Sequence, residues 1–340
     1  MSANLAKRWA TGLSLGALCT LWIFSGNGIF TLLFLLVSLV AQTEYYQMVQ
    51  HTHNILPTKK IGMVSLIMAY TTAAMFPQFH EAVMPLSATF LMLWLLVFNK
   101  KSPLISEIST SLLGMFYIGY LPSFWVRLKT DAALSALSLP PLALSAAATA
   151  AAAAGSVAGA GVSAGRVPSL ALRLAAQWPW AARDVGSILT WWTWTSIVFA
   201  DVGAYFVGKR FGRHKLGEMS RAAGAASPNK TIEGALGGFA SCMLFAVAGA
   251  KLMRWPSPLL TGSAYGLMIS VIALVGDLTA SMMKRDAGMK DSGNLLPGHG
   301  GLLDRIDSYM FTAPAAYYFC TWLLPWLLRA QHSGAVPPLL

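Results

Sequence analysis

The chain has 340 residues, 56% hydrophobic and only 11% charged, with a mean hydropathy of +0.57 and a formal net charge of +11. Soluble domains carry roughly 25% charged residues, so the composition excludes a water-soluble globular protein and points to an all-α integral membrane protein. No basic module with interleaved aromatics suits nucleic acid, and Cys19, Cys242 and Cys320 lie far apart in apolar stretches, with neither zinc spacing nor a disulfide framework.

Apolar segments of about 20 residues, long enough to cross a bilayer, fall in order along the chain. The first is expected over 9–25, after Lys7 and Arg8, and reads as a membrane helix, not a removed signal. The second covers 29–48 and ends in Glu44, Tyr45 and Tyr46. The third (61–77) and fourth (82–98) flank Pro77–Glu81, and the fifth covers 104–125, with Tyr117, Tyr120, Phe124 and Trp125 as interfacial anchors. Residues 132–165 are nearly all Ala, Ser, Leu, Gly and Val, with Pro140-Pro141 inside. They read as a low-complexity insert, since alanine and serine drive insertion weakly and the prolines and glycines break helices. The sixth to ninth segments are placed at 187–208, 231–250, 257–283 and 308–328.

The expected architecture is thus about nine transmembrane helices with a catalytic loop between the last two. It divides into N-terminal helices over 1–127, the insert and its linker over 128–183, and a catalytic region over 184–340. With the N-terminus on the cytoplasmic-type side, sixteen of the 24 Lys and Arg residues fall on that side and eight opposite, as the positive-inside bias requires.

Five of the thirteen acidic residues (Asp277, Asp286, Asp291, Asp304, Asp307) crowd into Gly276–Ser308, among Lys284, Arg285, Lys290, Arg305 and His299 and with Gly293, Gly298, Gly300 and Gly301. Carboxylates that hold a divalent metal, beside cations and glycine N–H groups that hold phosphate oxygens, would satisfy both signs of charge. The plain alternative is a solvated loop between two helices. On a helix, Asp277, Ser281, Lys284 and Arg285 share one face. Asp277 then lies about 10 Å from Lys284 along the axis, nearer the membrane boundary than a transporter's coupling acid is expected to be. Asp304 brought back against Asp277 would make a two-carboxylate metal site. His299 is either a structural or phosphate-contacting residue or a proton carrier. Ser227-Pro228 reads as a helix start, which would set Lys230 at an N-terminus suited to phosphate. Asp201 would either reach the metal site or serve a structural partner.

The pattern S-x-x-K-R-x4-K-D-x-G-x3-P-x-H-G-G-x-x-D-R-x-D, from Ser281 to Asp307, resembles the signature of the phosphatidate cytidylyltransferases. A second block agrees: Asp201, Ala204, Tyr205, Gly208 to Gly212, Ser227 to Thr231, and Glu233-Gly234. The resemblance implies a membrane enzyme that condenses CTP with phosphatidic acid to CDP-diacylglycerol and diphosphate, with Mg²⁺ as cofactor and membrane lipids as surroundings. It implies that Asp277 and Asp304 hold the metal and are catalytic together with Ser281, Lys284 and Arg285. Lys230, Lys290, Asp291, His299, Gly300, Gly301, Arg305 and Asp307 are then expected around the substrates. Gly119–Arg127 resembles plastid and cyanobacterial members, which points to a plastid membrane, and a homodimer would be an ordinary state for such a protein. Two rivals stand beside this reading: a CTP-dependent kinase of an isoprenoid alcohol, which would need a base such as His299, and an ion-coupled transporter.

Overall fold

The computed structural model describes residues 14, 16–52, 56–98, 102–131, 185–293 and 300–327. The insert at 132–165, His299, Pro297 and Gly298 lie outside the described residues, as do residues 9–13 and 15 of the segment expected at 9–25, of which residues 16–23 are helical. Among the described residues no strand occurs; an isolated β-bridge pairs Lys215 with Thr231.

Six helices form the first part of the fold. They are α1 (Asn27–His51), α2 (Lys59–Met75), α3 (His80–Phe98, led in by a 3₁₀ turn at Pro77–Phe79), α4 (Ile105–Gly114), α5 (Leu121–Thr130) and α6 (Val185–Phe211). Two short helices follow, α7 (Leu216–Met219) and α8 (Arg221–Ala226), then α9 (Ile232–Leu252), α10 (Pro258–Asp286), α11 (Leu303–Met310) and α12 (Thr312–Tyr318). The second, third, fourth, sixth, seventh and eighth apolar segments each coincide with one helix, and the ninth is divided among the end of α11, α12 and a π turn at Phe319–Leu323. Among the described residues, four stretches have both the length and the hydropathy to cross a membrane: 27–51, 77–98, 232–252 and 258–286. Leucines 32, 36, 93, 96 and 244 on these helices face outward and are exposed, as lipid-facing side chains of a membrane protein are.

The fifth segment departs from expectation. A π-helical turn over Met115–Tyr120 separates α4 from α5, and the helix runs on to Thr130. Tyr117, Phe124 and Trp125, expected as interfacial anchors, are instead fully buried. Their polar atoms find partners inside the fold: the Tyr117 hydroxyl donates to the Gly276 carbonyl (3.4 Å) and the Trp125 indole to the Tyr309 carbonyl (2.9 Å). The extra residue per turn of a π turn re-aims such side chains, and here it points Tyr117 at the helix that carries Asp277.

Small residues let α6, α9 and α10 approach closely, the usual device where lipid removes the hydrophobic drive between helices. A Cβ on Gly238 would lie 2.7 Å from the Ala200 carbonyl, and one on Gly266 would lie 2.6 Å from the Met243 Cα. Helix α10 starts on Pro258 and ends in Lys284 and Arg285, followed by Gly288 at φ +67°, a position that favours glycine. Three buried clusters complete the core, one of them made of Ile61, Leu91, Leu95 and Met115. The largest includes Phe30, Phe34, Trp125, Tyr265 and Ile269; another gathers Tyr45, Tyr46, Tyr117, Leu303 and Met310 against the base of the signature loop.

Candidate active site

The site is built where α10, α11, the end of α1 and the start of α9 meet. Asp277 forms an ion pair with Lys230, and the Ser281 hydroxyl, one turn further along α10, approaches Asp277 Oδ1 at 3.4 Å. Two turns from Asp277, Lys284 Nζ donates to Asp304 Oδ1 at 2.6 Å. Asp304 Oδ2 accepts from the Ser292 N–H (2.8 Å), the Gly301 N–H (3.1 Å) and the Ser292 hydroxyl (3.1 Å). Burial pushes the Asp304 carboxyl up, but the Lys284 ammonium and the Ser292 and Gly301 N–H groups outweigh it and hold it below the usual range.

Lys230 is fixed by its backbone. The Leu216 N–H donates to its carbonyl (2.9 Å) and the Ile232 N–H to the His214 carbonyl (3.0 Å), closing the 209–230 segment on itself. The helix does not begin at Ser227-Pro228, which lie in a turn; its N-cap is Thr231, whose hydroxyl accepts from the Gly234 N–H at 3.1 Å. Pro228 suits a turn as well as a first helical position, while Thr231 supplies the capping oxygen. Lys230 still stands at a helix N-terminus, one residue before the cap.

A cavity of about 430 Å³ opens beside this pair, lined by Asp201, Lys230, Asp277, Tyr205, Asn229 and Ser270 among others. Asp201 is therefore brought to the same space as Asp277. Arg285 turns away from it, its guanidinium near the carbonyls of Ala226 (3.5 Å) and Met289 (3.4 Å), which ties α8 to the end of α10. Lys290, Asp291 and Arg305 are exposed around the loop. Gly300, at φ +79°, adopts a backbone conformation that a side chain would strain, and a Cβ there would press on Asp304 Oδ2 at 3.2 Å. Asp307 is buried beneath the site, with its carbonyl 2.6 Å from where a Cβ on Gly276 would lie.

Asp201, expected either at the metal site or beside a structural partner, shares the cavity with Asp277. Two residues of this site escaped the spacing argument: Ser292 links the two sides of the loop, and Glu44 anchors the whole. Its carboxylate accepts from the Leu302 N–H (2.9 Å), the Leu303 N–H (2.9 Å) and the Ser292 hydroxyl (3.0 Å). The signal for Glu44 was present: like Asp201, it is the one acid in a long helix, and an ionisable residue there is functional by default.

Among the described residues no three His, Cys, Asp or Glu side chains gather as a metal cage. Mg²⁺ does not need one: it keeps several waters and takes one or two carboxylates plus substrate phosphates. Asp277 and Asp304, hard oxygen donors each beside an ammonium, fit that ion, and the same lysines fit phosphate oxygens.

A helical membrane protein that sets one lysine-paired carboxylate, Asp277 with Lys230, in its cavity and a second, Asp304 with Lys284, two turns further along α10 has the charges that a nucleotide phosphate at a lipid surface calls for. The chain belongs to the cytidylyltransferase family, which it matches over residues 6–323. It is 40% identical over 306 residues to the phosphatidate cytidylyltransferase of Synechocystis, covering 88% of this chain and 91% of that protein. It is 31% identical over 324 residues to the chloroplastic phosphatidate cytidylyltransferase 4 of Arabidopsis thaliana, covering 94% and 74%. The Bacillus subtilis phosphatidate cytidylyltransferase is 43% identical over 118 residues, covering 35% and 42%.

Proposed function

We propose that this protein condenses CTP with phosphatidic acid, giving CDP-diacylglycerol and diphosphate. Full-length similarity to phosphatidate cytidylyltransferases carries this reading. The pairing of Asp277 with Lys230 and of Asp304 with Lys284 supplies its chemistry. The nucleophile is a phosphatidate oxygen, anionic near neutral pH, so the site requires no strong base. The obstacle is the mutual repulsion of two polyanions, which cations overcome while they stabilise the leaving diphosphate.

In this reading Asp277 and Asp304 hold Mg²⁺, which supplies Lewis-acid neutralisation of the phosphates. Lys230 and Lys284 exchange their carboxylates for substrate oxygens, Ser281 orients Asp277, and Arg285 closes the face of α10. Lys290, Asp291, His299, Gly300, Gly301 and Arg305 border the nucleotide. Asp307 supports the site from below. Nine helices cross the membrane with the N-terminus and both basic loops on the cytoplasmic-type side. The Arabidopsis relative's chloroplastic name favours a plastid membrane or a relative of one, and the enzyme works as a homodimer.

The test supplies membranes with labelled CTP, phosphatidate and Mg²⁺ and measures CDP-lipid and diphosphate. Release of CDP instead would turn the reading into a lipid kinase, and uptake with no CTP dependence would turn it into a transporter.

A further inference from the structure

Glu44 is the one acidic residue in the 25-residue helix α1 and is 5% exposed. A carboxylate removed from water on such a helix must find donors. Its three are neutral groups from the far end of the chain: the Leu302 and Leu303 N–H groups and the Ser292 hydroxyl. The first two open α11, whose initial N–H groups have no partner within the helix; α11 carries Asp304. The Ser292 hydroxyl lies 3.0 Å from Glu44 Oε2 and 3.1 Å from Asp304 Oδ2, so two carboxylates compete for one hydroxyl hydrogen. Two glycines leave space for this arrangement. A Cβ on Gly293 would lie 2.8 Å from Glu44 Oε1, and one on Gly301 would lie 2.6 Å from Glu44 Oε2.

We infer that Glu44 is a positioning residue of the transfer reaction: it clamps Ser292 to Leu302 and Leu303 and thereby fixes the orientation in which Asp304 is presented. The inference rests on the proposed cytidylyl transfer. Glu44 touches no substrate. It acts by drawing the Ser292 hydroxyl and the start of α11 together, which leaves Asp304 Oδ2 to the Ser292 and Gly301 N–H groups and Oδ1 turned to Lys284 and the cation. A neutral amide at position 44 would turn its NH₂ toward at least one of these donors, opening the clamp without emptying the space.

The experiment compares full-length wild type with Glu44→Gln, Glu44→Asp, Ser292→Ala and the Glu44→Gln/Ser292→Ala double variant in lipid nanodiscs. CTP, phosphatidate and Mg²⁺ are varied in turn, unfolding midpoints are recorded, and substrate-free Mn²⁺ binding is followed by electron paramagnetic resonance. Groups that orient metal ligands contribute about 10–100-fold, and Glu44→Gln is expected to lower kcat and weaken Mg²⁺ and Mn²⁺ binding by such a factor. KM for phosphatidate stays near wild type. Ser292→Ala gives a smaller loss of the same kind, the double variant is no worse than Glu44→Gln, and Glu44→Asp, which keeps the charge, recovers part of the activity. A role in stability alone would lower the midpoint and leave kcat per folded molecule and cation dependence within about threefold of wild type, below the range for metal orientation; that result overturns the inference. Should Glu44→Gln fail to fold, Glu44→Asp and Ser292→Ala are judged by the same criterion. A wild type that makes no CDP-diacylglycerol overturns the proposed reaction as well, which separates the two failures.

Discussion

Asp277 and Asp304 each already have a lysine. Lys284 and Asp304 are both nearly buried (12% and 10% exposed), whereas Lys230 and Asp277 are each 30% exposed at the cavity. Removing either carboxylate leaves a lysine uncompensated and, on the proposed reading, removes a hard oxygen ligand of the cation. Asp277→Asn and Asp304→Asn are each expected to lower CDP-diacylglycerol formation by about 100–1,000-fold, the range for loss of one preorganised electrostatic group, with the protein still present in the membrane. Turnover near wild type in both would end the metal assignment. Because Asp304 is held below its ordinary value of 3.8, it stays ionised as pH falls through that value. Its contribution to stability is present above the unfolded value and is lost only below the depressed folded one.

His214 titrates in the opposite sense. The hydrogen bond to Glu233 at 2.6 Å and the charge of that carboxylate raise it above 6.5. Its contribution is complete below 6.5 and disappears as pH rises through the raised folded value. Histidine-selective NMR should find this ring titrating above 6.5, and Glu233→Gln should return it toward that value.

At the level of the helix, backbone proximity decides what the site can tolerate. Gly262 and Gly266 are four apart on α10 and face Val247 and Met243 of α9. Gly266→Val would drive the two helices apart and is expected to cost about 1–3 kcal/mol, as overpacking does, read as a lowered unfolding midpoint in nanodiscs. Thr231 caps α9 directly after Lys230. Thr231→Val should cost about 1 kcal/mol of stability and, by loosening the lysine's backbone, weaken CTP binding more than phosphatidate binding. Equal losses in both KM values would separate the cap from the lysine. The π turn at Met115–Tyr120 acts on the same scale, since it carries Tyr117 to the Gly276 carbonyl beside Asp277.

Across the whole molecule, the site joins the two halves of the chain. Glu44 on α1, Tyr117 between α4 and α5, and Trp125 on α5 all bond to groups beyond residue 275. The proposed topology sets Lys60, Lys215 and Lys290 on one side of the bilayer and Arg254 on the other. Cysteines introduced singly at these four positions should be labelled by an impermeant maleimide from one side for the first three and from the opposite side for the fourth. Cys242 and Cys320 are buried, and Cys19, which is partly exposed, is replaced by serine in the background. Labelling of Arg254→Cys together with Lys290→Cys would require a different number of spans.

The sequence by itself determined the membrane class, the positions of the long helices at 27–51, 59–75, 80–98, 185–211, 232–252 and 258–286 and the shared face of Asp277, Ser281 and Lys284, because these follow from local hydropathy and the period of one helix. It also carried the family, through the Ser281–Asp307 pattern. Only the tertiary structure decided that Lys230 pairs with Asp277, that Lys284 pairs with Asp304, that Trp125 and Tyr117 turn inward, and that Glu44 closes on Ser292 and Leu303. Those partners lie 20 to 259 residues apart along the chain, so their meeting depends on how the helices pack, which local spacing does not encode.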